Sequence, residues 1–156
     1  MIRLEIPGRG SHDIANLVLD VNGTIACGGE LLDSVAELVG ALSTRLHVVA
    51  ITADTHGTAR ELEQRTGVEV RVIERGNEDE QKLAFIQSLG AGSVAALGNG
   101  TNDARMLAEA AIGIAVIGCE GLSTAAMRSA DVVTTSIESA LMLLVEPNRL
   151  VATLRS

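Results

Sequence analysis

The sequence predicts an α/β protein in three layers, with a mainly parallel central sheet carrying helices on both faces. Three observations predict it. Short β-rich runs alternate with longer segments that are apolar at helical spacing. The β-rich runs are almost continuously apolar, the pattern of strands buried on both sides. The 156-residue chain is 47% apolar, enough for one core, and with Phe85 its single aromatic residue that core must be built from Leu, Val, Ile and Ala.

Taken in order, the first strand is Leu17–Leu19, an apolar run ending at Asp20. A helix over Leu31–Ser43 leads to the strand Leu46–Ile51. A helix over Thr55–Thr66 and the strand Glu69–Ile73 follow. Next come the helix Glu78–Leu89 and the strand Ser93–Leu97, whose end is turned by Gly98 and Gly100. Thr101 or Asn102 then caps a helix over Asn102–Ala110, with Asp103 placed to complement its dipole. The strands Gly113–Val116 and Asp131–Val133 bracket a helix at Ser123–Ser129. Two last helices, Ile137–Val145 and Asn148–Leu154, are separated at Pro147. No repeat, linker or low-complexity tract interrupts this order, so residues 1–156 are expected to form a single domain.

Composition removes several function classes. A net charge of −8 and the near-absence of aromatic side chains disfavour nucleic acid and anionic membranes as partners. No apolar run approaches the ~18 residues of a membrane span. Cys27 and Cys119 are far apart and fit no zinc spacing, and no signal peptide is visible. They are therefore read as reduced thiols in a cytoplasmic protein, Cys27 as a small buried thiol near the site. His12, His47 and His56 are scattered, and His56 reads as a solvated loop residue. Glu74 to Glu80 holds four acids, most simply a solvated face. The closing helix reads as a packing surface or a partner-binding helix. The apolar composition leaves room for a homo-oligomer.

In open α/β sheets ligands sit beyond the carboxyl ends of the strands, so polar residues there carry most weight. Three places qualify: Asp20 to Thr24, Thr52-Ala53-Asp54, and Gly98 to Asp103. Their order, with Lys82 on an intervening helix, resembles the haloacid dehalogenase (HAD) superfamily of aspartate-nucleophile phosphohydrolases. That family's Asp-x-Asp-Gly-Thr motif reads here Asp20-Val21-Asn22-Gly23-Thr24. Its second motif is matched by Thr52, its helix lysine by Lys82. Its Gly-Asp-Gly-x-Asn-Asp motif reads Gly98-Asn99-Gly100-Thr101-Asn102-Asp103. The stretch from Lys82 to Leu107, with "GIAV" and "SADVV" beyond it, is similar to the phosphorylation domain of P-type ATPases. The chain resembles soluble, stand-alone relatives of those pumps, HAD-like and Rossmann-like, with no large cap domain.

The resemblance implies a phosphatase working through an aspartyl-phosphate, which splits one hard hydrolysis into two steps. Asp20 would be the nucleophile. Asn22, Thr52 and Lys82 would complete the catalytic set, while Gly23, Thr24, Ala53 and Asn102 would help bind a small phosphorylated substrate. Mg²⁺ would be held by Asp20, Asn22, Asn99 and Asp103. Arg75 would substitute as the cation should Lys82 point away. Two departures stand out. Asn22 replaces the family's general acid-base, a loss of roughly 10² to 10⁴ in rate. Asn99 replaces a charged magnesium ligand with a neutral one, which implies weak metal binding and slow turnover. The alternative is a HAD-fold binding or regulatory module with impaired catalysis. An ATP-consuming transport role is set aside, since no P-loop motif is present. Both substituted positions are Asn-Gly pairs, a context prone to deamidation that would restore acids.

Overall fold

In the computed structural model, residues 1–31, 33–53 and 59–156 are described. A hairpin comes first: β1 (Ile2–Ile6) and β2 (Gly10–Ile14) pair antiparallel, Ile2 opposite Ile14. In β1, Ile2, Leu4 and Ile6 are buried while Arg3 and Glu5 face out, the period-two pattern of a half-covered strand. Sequence reading passed over this hairpin although the alternation was legible.

The main sheet has six strands. They are β3 (Asn16–Asp20), β6 (His47–Thr52), β7 (Glu69–Val72), β8 (Val94–Gly98), β9 (Ile112–Val116) and β10 (Val132–Thr134). Between β3 and β6 in sequence lies a small hairpin, β4 (Ala26–Cys27) with β5 (Glu30–Leu31), in place of any large cap. The order across the main sheet is β10-β9-β8-β3-β6-β7, and every pairing is parallel. The chain runs outward from β3 through β6 to β7, then returns to β8 on the other side of β3. The carboxyl ends of β8, β3 and β6 therefore meet where the winding reverses, the usual crevice for a ligand.

Helices cover both faces, as the sequence predicts. On one face lie α1 (Asp33–Ser43), α2 (Ala59–Thr66), α6 (Ile137–Val145) and α7 (Pro147–Leu154). Val35, Val39, Leu62, Leu141, Leu144 and Leu150 of these helices join Leu17, Leu19, Val48 and Ile114 in one core. The closing helix α7 packs on β1, in line with the packing surface expected of it. On the other face α3 (Glu78–Ser88), α4 (Ala104–Glu109) and α5 (Thr124–Ser129) set Phe85, Ile86, Met106, Leu107 and Ala126 against Val18, Val49 and Ala96. Helix α4 lies so close to β9 that Gly113 has no room for a side chain against the Leu107 carbonyl. Burial of such aliphatic side chains stabilises by about 1.5–3 kcal/mol each.

Element limits follow the sequence reading to within a few residues, with one informative shift. The helix expected from Asn102 begins at Ala104, after a 3-10 turn at Thr101–Asp103. The Asp103 carboxylate reaches back to the amides of Asn99 and Gly100, which tightens this turn. The start of the helix expected at Thr55, with Asp54 and His56, lies outside the described residues. Among those described, no helix is long and apolar enough to cross a membrane.

Candidate active site

Lys82 is the only lysine in the chain, and it is buried. It sits on the second turn of α3, and its Nζ donates to Asp20 Oδ1 at 2.6 Å and to Asp103 Oδ1 at 2.6 Å. Asp20 closes the apolar run of β3, where burial of the strand carries its side chain to the rim. Asp103 is fully buried behind the lysine, its Oδ2 accepting from the main-chain amides of Asn99 at 3.0 Å and Gly100 at 2.8 Å. One ammonium thus serves two carboxylates. Desolvation, and then the charge of Asp103, push the Asp20 carboxyl up to about 7, against the pull of Lys82 and Thr24. For Lys82, burial works against the charged form, but the attraction of Asp20 and Asp103 outweighs it and the pKa is raised.

The turn after β3 is tied down by its own backbone. Val21 O accepts from the amides of Thr24, Ile25 and Ala26, and Gly23 adopts φ +78°, which only glycine takes without strain. Thr24 Oγ1 lies 3.0 Å from Asp20 Oδ2 and 3.1 Å from Asn99 Oδ1 as donor, linking the first and last motifs. Asn99 Nδ2 in turn donates to Gly121 O at 3.2 Å. The amide at position 99 is therefore suited to its surroundings: a carboxylate there would set an oxygen against the Gly121 carbonyl. Its neighbour's nitrogen, the atom that closes a succinimide ring in deamidation, is occupied by Asp103.

These groups border a cleft of about 620 Å³ at the carboxyl rim of the sheet. Asp20, Asn22, Thr52, Ala53, Lys82, Asn99 and Asn102 line it, all from the sequence-derived set. Gly23 and Thr24 stand behind the wall, and Asp103 behind the lysine, so these three act on the cleft through their neighbours. Arg75 is exposed and off the cleft, since Lys82 points inward. Two acids that sequence reading did not assign also line it: Glu78, from the run read as a solvated face, and Glu120. Glu120 follows the end of β9, so the strand-end rule that found the other loops would have found it.

The cysteine expectation is corrected. Cys27 and Cys119 form a disulfide with Cα atoms 6.1 Å apart, across 92 residues of sequence, and both half-cystines are exposed. The β4–β5 hairpin and the loop after β9 converge at the same rim, a proximity that spacing does not encode. With the free thiols goes the cysteine argument for a cytoplasmic location.

Magnesium chemistry can be tested against the donors present. Among the described residues no three acidic, histidine or cysteine side chains are grouped as a metal cage. At the strand ends the cleft presents the Asp20 carboxylate and the amides of Asn22 and Asn99, while Glu78 and Glu120 lie elsewhere on its lining. Magnesium keeps several waters and takes one or two carboxylates plus substrate phosphate oxygens, so this sparse oxygen set fits it.

No established family model matches the chain. In sequence it is similar to an uncharacterized protein of Methanocaldococcus jannaschii, 40% identical over 84 residues, covering 51% of this chain and 90% of that one. It is also similar to a probable cation-transporting ATPase G of Mycobacterium tuberculosis, 38% identical over 111 residues, covering 70% of this chain but 14% of the pump. In structure it is similar to a 3-deoxy-D-manno-octulosonate 8-phosphate phosphatase from Moraxella catarrhalis, solved with magnesium, phosphate and KDO. The TM-score is 0.63 at 18% identity, covering 91% of this chain and 94% of that one. The cobalt-bound phosphatase from Haemophilus influenzae gives 0.68 at 12% identity, covering 92% and 94%. A zinc-transporting PIB-type ATPase in an E2.Pi state gives 0.63 at 25% identity, covering 79% of this chain and 20% of that one.

The chain has the fold of solved HAD-family hydrolases and is similar in sequence, over 70% of its length, to part of a cation-transporting ATPase. It spans about a seventh of the length of the M. tuberculosis pump. The phosphatase likenesses, below one-fifth identity, are likenesses of fold.

Proposed function

We propose that this chain is a phosphohydrolase that works slowly on small phosphate monoesters through an aspartyl-phosphate at Asp20. The observation that carries the reading is the Lys82 ammonium at 2.6 Å from both Asp20 and Asp103 on the rim of an open cleft. A fixed positive charge beside a carboxylate at a strand end suits in-line attack on a dianionic phosphoryl group. Asp20 attacks phosphorus, and the bond from phosphorus to the ester oxygen breaks. Asn22 cannot donate a proton, so the departing oxygen takes one from solvent. Water then attacks the acyl phosphate, releasing inorganic phosphate and restoring Asp20. Thr52, at the end of β6 and on the lining of the cleft, would bind a phosphoryl oxygen in this reading.

Magnesium, with Asp20 and the Asn99 amide oxygen as its protein ligands and Asn22 contributing, would shield the carboxylate from the phosphoryl oxygens. Asp103 acts in this reading as a positioning residue, since its oxygens are taken by Lys82 and two amides. Loss of acid-base help at position 22 sets a rate about 10² to 10⁴ below that of a site retaining both acids.

A second reading, a binding module that has lost catalysis, draws on Asn99, whose amide is already committed to Thr24 and Gly121. An aryl phosphate assay with Mg²⁺ separates the two. Turnover by the native chain that disappears in Asp20→Asn supports the enzyme. No turnover by the native chain at millimolar Mg²⁺ supports the module.

A further inference from the structure

Among the described residues, the ionisable side chains lining the cleft apart from Asp20 are Lys82, Glu78 and Glu120. The positive charge of Lys82 is already shared between Asp20 and Asp103. The chain's remaining cations are eleven arginines, and none of them lines the cleft. Among the described residues the lining therefore sets three carboxylates, Asp20, Glu78 and Glu120, against one ammonium.

Glu120 is held in place by its loop. Its neighbour Cys119 is bonded to Cys27. Gly118 approaches the Gly23 carbonyl too closely for any side chain, and Gly121 N donates to Gly118 O at 3.0 Å. Gly121 O accepts from Asn99 Nδ2, and Ser123 N donates to Asn99 O at 2.9 Å. The carboxylate leans over the Asn22-Gly23 turn: a Cβ built on Gly23 would lie 2.9 Å from Glu120 Oε2. Glu78 is fixed at the start of α3, where its Oε1 accepts from Gly76 N at 3.1 Å.

We propose that Glu120 and Glu78 form a leaving-group subsite that selects phosphate monoesters bearing an ammonium group. This rests on the phosphohydrolase reading and deepens it by naming the substrate class. An ester whose other end carries a carboxylate meets two like charges with no arginine to receive it. An ester ending in an ammonium gains two counter-charges beside its phosphate.

Three nearly isosteric esters test this: 2-aminoethyl phosphate, 2-hydroxyethyl phosphate and phosphoglycolate, with Mg²⁺ at low ionic strength. The expected order of kcat/KM is amine, then alcohol, then acid, with about tenfold between the extremes and a narrower spread as salt is added. Glu120→Gln combined with Glu78→Gln is expected to bring the amine-to-acid ratio to within about twofold, because the counter-charges are gone. Equal rates for the three esters, a reversed order, or a ratio unchanged in the double variant would overturn the subsite. Calorimetric titration of the same esters into Asp20→Asn protein reads selectivity without turnover. Selective binding with no turnover by the native chain contradicts the hydrolase reading alone, and turnover without selectivity contradicts the subsite alone.

Discussion

The Asp20 carboxylate and the Lys82 ammonium meet at 2.6 Å, although they lie 62 positions apart in the sequence. With Asp103 bound to the same nitrogen, the triad carries one positive charge against two negative ones. Removing the cation is therefore expected to cost far more than removing the carboxylate on the rim. Lys82→Met should destabilise the fold by about 3–5 kcal/mol, the penalty of leaving buried charges unpaired. Asp20→Asn leaves a balanced Lys82–Asp103 pair and should unfold at the native urea concentration or above it. Urea denaturation of the two variants checks this, and equal losses would argue against the triad.

The raised pKa of Asp20 gives a pH dependence with a definite sign. Its value moves from an ordinary 3.8 to about 7 on folding, so the folded state holds the proton more tightly. The stability it contributes is full below pH 3.8 and is lost progressively as pH rises to about 7, levelling off above that. The raised value of Lys82 adds nothing to this window, since its contribution is constant until alkaline pH. Unfolding free energies measured between pH 4 and pH 8 should fall with pH in the native chain, and this component should vanish in Asp20→Asn. The same protonation silences the nucleophile, so kcat/KM should drop below about pH 7 and its acid limb should move to lower pH as Mg²⁺ is raised.

The Cys27–Cys119 bridge closes a loop of 92 residues, and its removal should be felt throughout the fold. On the chain-entropy estimate, replacing both cysteines by serine costs about 4–5 kcal/mol. Thiol alkylation without reductant, read by mass spectrometry, should modify neither cysteine in the native protein. Rapid labelling of both would contradict the pairing.

At position 99 the amide is matched to its pocket by the Gly121 carbonyl and the Thr24 hydroxyl. Asn99→Asp should therefore lower the melting temperature in chelator, by the loss of a hydrogen bond worth about 1 kcal/mol and the exposure of a carbonyl to a like partial charge. Saturating Mg²⁺ should restore more stability to the variant than to the native chain, because a second carboxylate now faces the metal position. The native Asn99 should remain an amide on ageing, since Gly100 N is held by Asp103. Scanning calorimetry with and without Mg²⁺, together with peptide mapping, reads both outcomes.

Much of this arrangement was legible in the residues. The apolar runs before Asp20, Thr52 and Gly98 mark buried parallel strands, and the strand-end rule then brings their polar followers to one rim. Lys82 follows from its motif and from helical spacing, which turns it to the same side as Phe85 and Ile86. What was not legible is tertiary. The disulfide joins two loops whose meeting depends on the return of the chain across β3. Glu120 reaches the cleft only because that loop is drawn in against Gly23. The β1–β2 hairpin was within reach, through the alternation of Ile2, Leu4 and Ile6, but its role as a cover for α7 depends on a helix 140 residues away (roughly, by chain position).

The most direct measurement is chemical capture of the proposed intermediate. Native protein is incubated with acetyl phosphate and Mg²⁺, quenched in acid and mapped by peptide mass spectrometry. A phosphoryl group on Asp20 that is discharged by hydroxylamine and absent from Asp20→Asn is the predicted result. Release of inorganic phosphate by an Asp20→Asn protein at the native rate, or a phosphoryl group found only on another residue, would contradict the account.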